Sequence, residues 1–255
     1  MSHKIKSLPL LGQIAIVVLS FWVGLFFAWQ TLSATHFFYP QIYDALDFES
    51  FIKEFAPQNY YKTGFENTDR EQHIALFGQI VDAINNKGQN LSGITYHDSD
   101  GNAIDKLLRE PEVIHLQDVA NLLDKLRTSE YWAIVILLII VALFKSTKTP
   151  FQHIGRTLLI TLGIVTIIAA LIVLYGARDV FYQLHTIVFP EKHQWFFYYQ
   201  ESLMTTLMKA PDIFAVIAIL LSGLAFFYFS MILWAIRKLL NINSYSFKSK
   251  RRIKK

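Results

Sequence analysis

Four long apolar runs, Leu8–Leu32, Tyr131–Phe144, Leu158–Tyr175 and Ile213–Ile236, leave a chain of 255 residues little choice but to fold within a bilayer. The charges between the runs set an orientation. The segment before the first run, the loop Lys145–Arg156 and the stretch after the last run hold two, three and eight Lys+Arg, with no Asp or Glu. All 20 acids fall elsewhere. Short basic flanks stay cytoplasmic, so both termini are expected inside. The first run follows Lys4 and Lys6 as a secretory signal would. Its core is about twice the usual h-region length, and no small-x-small cleavage site follows Trp29, Gln30 and Thr31, so an uncleaved anchor is expected.

The expected fold is mainly α: a four-helix transmembrane bundle with a small α+β extracytoplasmic insert between spans 1 and 2. Residues 1–32 form the N-terminal tail and first span. Residues 33–130 form the insert, with 16 acids against 8 Lys+Arg, and residues 131–255 carry the other spans, a cytoplasmic loop, an outer loop and a basic tail. Within the insert, Asp47–Phe55 and Arg70–Asn85 have apolar residues at helical spacing. Leu91–Tyr96 and Ala103–Leu107 flank an Asp-Gly turn at Asp100-Gly101 and read as a hairpin. The second run has about 14 uninterrupted apolar residues, fewer than the ~20 that cross a bilayer. One long helix from near Glu112 to Phe144 accommodates this. The third span is expected to continue outward as Gly176–Val188 until Pro190, with Trp29, Trp132 and Trp195 near the outer interface.

Several chemistries are excluded. The chain has no cysteine, hence no thiolate nucleophile, thiolate metal site or disulfide relay. Its net charge of +4 sits in the flanks, above all Lys248–Lys255, where it meets anionic lipid headgroups rather than nucleic acid. Asp98, Asp100 and Asp105 lack the remaining ligands of a calcium loop, and neither a Gly-rich phosphate loop nor a His-Glu-x-x-His pair occurs. The runs are almost free of ionisable groups, which argues against an ion path. No cofactor or metal is expected.

Topology sorts the eight histidines. His3 and His153 adjoin basic cytoplasmic segments, and His36, His73 and His97 read as ordinary surface or turn residues of the insert. His115, His185 and His193 remain. His185 has Phe181, Tyr182 and Phe189 as helical neighbours and Arg178 two turns earlier. At a membrane boundary such an imidazole would stay neutral and suit a general base; an ordinary interfacial histidine accounts for the same pattern. His115 is followed three positions on by Asp118, which can approach it on a helix, although plain solvated helices carry such pairs too.

Ile114-His115-Leu116-Gln117-Asp118-Val119, taken with Tyr182-Gln183-Leu184-His185-Thr186-Ile187-Val188-Phe189 and Trp195-Phe196-Phe197, resembles the bacterial lipoprotein intramolecular transacylase family. The resemblance extends over the whole topology. It implies a cytoplasmic-membrane enzyme, active at the outer face and without a cofactor, whose substrate is a diacylglyceryl lipoprotein. The acyl chain at the glycerol sn-2 position would move to the amino group of the N-terminal cysteine, leaving a lyso-form lipoprotein. It also implies catalytic roles for His115 and His185, Asp118 orienting His115. Arg178, Tyr182 and Trp195 become candidates for positioning the substrate. After the Trp motif the chain has Glu201-Ser202-Leu203-Met204 and Ala210-Pro211, departing from the acidic-x-Leu-Ile and Phe-Pro elements of the family. The alternative is a non-catalytic membrane protein that binds a partner through its insert.

Overall fold

The computed structural model describes residues 3–151 and 154–252, with side chains for 10–151 and 154–241. His153, Ile253–Lys255 and the side chains of His3 and of the basic tail therefore lie outside the description. Among the described residues, four helices are long and apolar enough to cross a membrane: α1 (His3–Ala34), α5 (Glu110–Ser146), α6 (Ile154–Tyr175) and α9 (Asp212–Arg252). Between them stand α2 (Tyr39–Ala45), α3 (Phe48–Phe55), α4 (Arg70–Asn85), strands β1 (Thr95–His97) and β2 (Ala103–Lys106), α7 (Ala177–Val188) and α8 (Leu203–Leu207). The protein is a mainly helical, multi-pass membrane protein with one small sheet.

Helix α5 is the single helix that the second run demands. Pro111 sits in its first turn and Glu110 and Glu112 lie at its positive end, where both residue types favour a helix start. Glu112 turns back to accept the Arg109 N–H at 2.7 Å, half of a capping box. Asp118, Asp124, Lys125, Arg127 and Glu130 all precede Tyr131, and residues 131–144 carry no charge. The crossing part of α5 therefore begins near Tyr131, and the turns bearing His115 precede it.

The chain divides into two compact units, 1–29 with 127–174 and 221–255, and 30–126 with 175–220. In the first, Ile16 and Val23 of α1, Ala133, Leu137 and Val141 of α5, and Phe229, Leu233 and Ile236 of α9 form one buried cluster. Much of α6 stays bare, with Leu171 58%, Val173 75% and Leu174 82% exposed, a surface that only lipid satisfies. Gly24 lets α1 approach α9 closely: a Cβ there would lie 2.9 Å from the Ala225 carbonyl oxygen and 3.0 Å from the Phe229 nitrogen. Backbone cannot yield as a side chain does, so Gly24→Ala is expected to cost about 1–3 kcal/mol, read as a lower Tm in detergent. Gly12 faces only the Phe144 ring, which can turn aside, and Gly12→Ala should cost less.

The second unit packs α2, α3, α4 and the hairpin around Tyr39, Tyr43, Phe48, Phe65, Phe77 and Tyr96. Tyr39 stacks on Phe77 at 4.0 Å, and its hydroxyl donates to the Leu207 carbonyl at 2.6 Å, tying α2 to α8. The hairpin pairs Thr95 with Lys106 and Tyr96 with Asp105, and a bulge follows. Its turn is closed by Asp98, whose carboxylate accepts the Asp100 and Asn102 N–H groups. Leu91–Gly93, expected within the first strand, forms a 3-10 turn.

Two further expectations are corrected. His73 is not a surface residue but 2% exposed in this core. The Thr68 hydroxyl gives its proton to the Phe65 carbonyl at 2.6 Å, so at 2.7 Å it must accept from His73 Nε2. Nδ1 then accepts from the Tyr43 hydroxyl at 2.8 Å. Burial holds this imidazole down to about 4, against 6.5 when unfolded. Below pH 6.5 the unfolded chain takes up a proton that the folded one refuses. The insert should therefore have full stability above pH 6.5 and lose about 3 kcal/mol on acidification to pH 4. Denaturation midpoints against pH test this, and His73→Gln should flatten the slope. The second correction concerns α6, which does not run on to Val188. Gly176 adopts φ +111°, a conformation that breaks the helix and that side chains rarely adopt, so α6 ends at Tyr175 and α7 starts anew.

Candidate active site

Helix α7 is amphipathic. Leu184, Ile187 and Val188 form an exposed apolar ridge, while Phe181, His185 and Phe189, at four-residue spacing, share another face. That face meets α5 and brings two imidazoles together: the His115 and His185 rings lie 6.2 Å apart, centre to centre, with planes inclined by 37°. Phe189 touches both, at 4.9 Å from His115 and 5.3 Å from His185. Phe181 and Trp195 cover His185 at 4.0 and 4.9 Å, and Phe197 stands 6.3 Å from His115.

Aromatic walls solvate a cation poorly. Burial is the main cause that holds His115 down to about 4; the neighbouring His185 adds to it, and Asp118 opposes it. Burial also lowers His185, partly offset by its hydrogen bond to the Phe181 carbonyl. Both rings are therefore neutral at pH 7. A carbonyl can only accept, so the 2.8 Å contact between His185 Nδ1 and the Phe181 oxygen puts the proton on Nδ1 and leaves the Nε2 lone pair free. Among the described residues, His115 Nδ1 is buried with no hydrogen-bond partner. The pair thus offers a proton acceptor and an unsatisfied ring nitrogen within one aromatic enclosure.

The other candidates fall into place unevenly. Trp195 lies on His185, and Tyr182 meets Trp195 edge-on at 5.5 Å. Arg178 reaches the site only through Tyr182, donating from Nε to its hydroxyl at 3.0 Å with the guanidinium over its ring. The link expected from Asp118 to His115 is corrected. The Asp118 carboxylate is bonded to His193 Nδ1 at 2.6 Å, because the loop after α7 brings that ring to the α5 face first.

Sequence reasoning also missed a buried polar support one turn before His115. Glu112 and Ser202 are both 0% exposed, and the Ser202 hydroxyl donates to Glu112. The same Ser202 oxygen caps α8 by accepting the Thr205 N–H at 2.9 Å. Arg109 stands over the Tyr61 ring at 4.4 Å. A Glu two residues into a predicted helix could signal the cap, but nothing local signals its partner 90 residues away.

A family model described as lipoprotein intramolecular transacylase Lit matches residues 13–210, the greater part of the chain and all of the site above. The chain belongs to this family. It is an intramolecular acyltransferase of the membrane, which sets aside the non-catalytic alternative. Two solved structures are similar, both of the membrane integral lipoprotein intramolecular transacylase Lit from Bacillus cereus with one histidine substituted. One has a TM-score of 0.68 at 14% identity, covering 96% of this chain and 97% of that one. The other has 0.66 at 15%, covering 98% of each. They show that the transacylase fold is shared. No curated protein sequence matches the chain significantly. The imidazole pair, its aromatic neighbours and the Glu112–Ser202 and Asp118–His193 bonds all lie within the matched residues.

Proposed function

We propose that the enzyme moves the sn-2 acyl chain of a diacylglyceryl lipoprotein to the amine of its N-terminal cysteine, yielding the lyso-form. The observation that carries this reading is the imidazole pair, neutral, 6.2 Å apart and walled by aromatic rings. The amine nitrogen attacks the ester carbonyl carbon, and His185 Nε2 takes the proton that the nitrogen sheds. His115 donates a hydrogen bond to the carbonyl oxygen as charge develops there, and the His185 imidazolium returns its proton to the glycerol oxygen as the C–O bond breaks. In balance, one C–N bond replaces one C–O bond and one proton passes from nitrogen to oxygen. No cofactor or outside energy enters. Amine and ester belong to one molecule, so holding a near-attack geometry supplies much of the rate.

Trp195 and Tyr182 wall the ester, Arg178 steadies Tyr182, and Asp118 acts through the loop rather than through His115. The basic flanks support a topology with both termini cytoplasmic and the site at the outer face of a bacterial cytoplasmic membrane. Membrane lipids border the substrate's acyl chains. The test is mass spectrometry of lipoprotein N-termini from cells without N-acylating enzymes, with and without this protein. The expected product gains an amide-linked chain at unchanged total acyl mass; added acyl mass would refute an intramolecular transfer.

A further inference from the structure

The segment that follows α7 carries Trp195, Phe196 and Phe197 without regular structure from Phe189 to Ser202. Such a stretch places its side chains only as well as it is tethered. Its far end is fixed: the Gln200 carbonyl accepts the Tyr60 N–H at 2.8 Å, and the Ser202 hydroxyl is held by Glu112. At its near end the polar contacts are local, His193 N–H to the Pro190 carbonyl at 3.0 Å and the Gln194 amide to the Phe196 carbonyl at 3.0 Å. Among the described residues, one polar side chain between Phe189 and Tyr198 reaches another element. It is His193, whose Nδ1 meets Asp118 at 2.6 Å. Asp118 is one turn beyond His115 on α5, and Trp195 is two residues beyond His193.

We infer that His193 is a positioning residue for acyl transfer, a strap whose bond to Asp118 holds the Trp195 wall against His185. One helix then carries both the His115 ring and the anchor that sets the opposite wall, so the width of the enclosure is fixed from a single element. The carboxylate bonded to an imidazole is a charge-assisted or strongly polarised contact, shorter than a neutral bond and directional. Its partial exposure, 26% for His193 and 16% for Asp118, leaves it partly shielded from water. The inference rests on the proposed roles of His115 and His185.

The test compares His193→Ala, His193→Phe and His193→Asn, with His185→Ala beside them, in a detergent assay on a diacylglyceryl lipopeptide. Asparagine can place an amide N–H where Nδ1 stands; phenylalanine keeps the ring and removes the donor. The Ala and Phe variants are expected to lose about ten- to a hundredfold in kcat with KM changed less, since a loosened wall spoils alignment more than binding. The Asn variant should stay within about threefold of the parent in kcat, retaining the directed bond. Acrylamide quenching, taken as the difference from matched Trp195→Phe proteins, should rise for Ala and Phe only. Should Ala fail to fold, Phe and Asn carry the comparison. Normal kcat and unchanged Trp195 quenching in the Phe variant, with His185→Ala inactive, would overturn the strap alone. Equal losses in Phe and Asn would also overturn it. An active His185→Ala would instead overturn the imidazole reading beneath it.

Discussion

Alanine at His115 or at His185 is expected to slow lyso-lipoprotein formation by about 10²–10⁴-fold while the protein stays folded in the membrane. Either change strands little: among the described residues His115 Nδ1 has no hydrogen-bond partner, and His185 Nδ1 bonds a carbonyl of its own helix. The double variant should be scarcely slower than either single one, because the two rings act as a unit on one acyl transfer. Their low proton affinities give the pH dependence its sign. A base works when neutral, and burial lowers the proton affinity of His185, the assigned base, as it does that of His115. Activity should accordingly persist to lower pH than a solvated histidine base, charged below about 6.5, would allow. Product formation timed by mass spectrometry decides the matter, and a single variant that turns over normally removes its residue from the mechanism.

The second large effect concerns stability. Glu112→Ala is expected to cost about 3–5 kcal/mol, because it strips the buried Ser202 hydroxyl and the part-buried Arg109, both backbone N–H and guanidinium, of their carboxylate partner. At the scale usual for a chain of this length, that lowers Tm by about 10 °C. Glu112→Gln keeps an acceptor oxygen in the same place and should lose clearly less. Because the bonds of Glu112 run to Ser202 and Arg109, the surviving folded fraction of the Gln variant should transfer acyl chains near the parent rate. Thermal denaturation in detergent, with activity normalised to folded protein, separates the two effects.

What the sequence made legible follows the range of the physics. The spans show because a bilayer demands long uncharged runs, and the hairpin shows because Asp100-Gly101 announces its turn within a few residues. His115 and His185 were visible through short motifs in a fixed order. Long-range pairing was not. His193 lies 75 residues from Asp118, while His115 lies only three away, so the local pair looked the better match. Glu112 and Ser202 are 90 apart and look unremarkable alone. His73 sat on a helix whose apolar stripe predicted nothing about the hydroxyls of Thr68 and Tyr43. Gly176 was hidden in a continuous pattern, since a break made by one glycine alters periodicity very little.

The walls around the two imidazoles have a pharmacological corollary. Cysteine is absent from the chain, and the Ser202 oxygen is already spent on Glu112 and the α8 cap. Electrophilic warheads that disable serine or cysteine acyltransferases would find no anchor here. Reversible binding remains: a ligand whose N–H or O–H donates to His185 Nε2 would engage the acceptor that the Phe181 carbonyl leaves open on that ring.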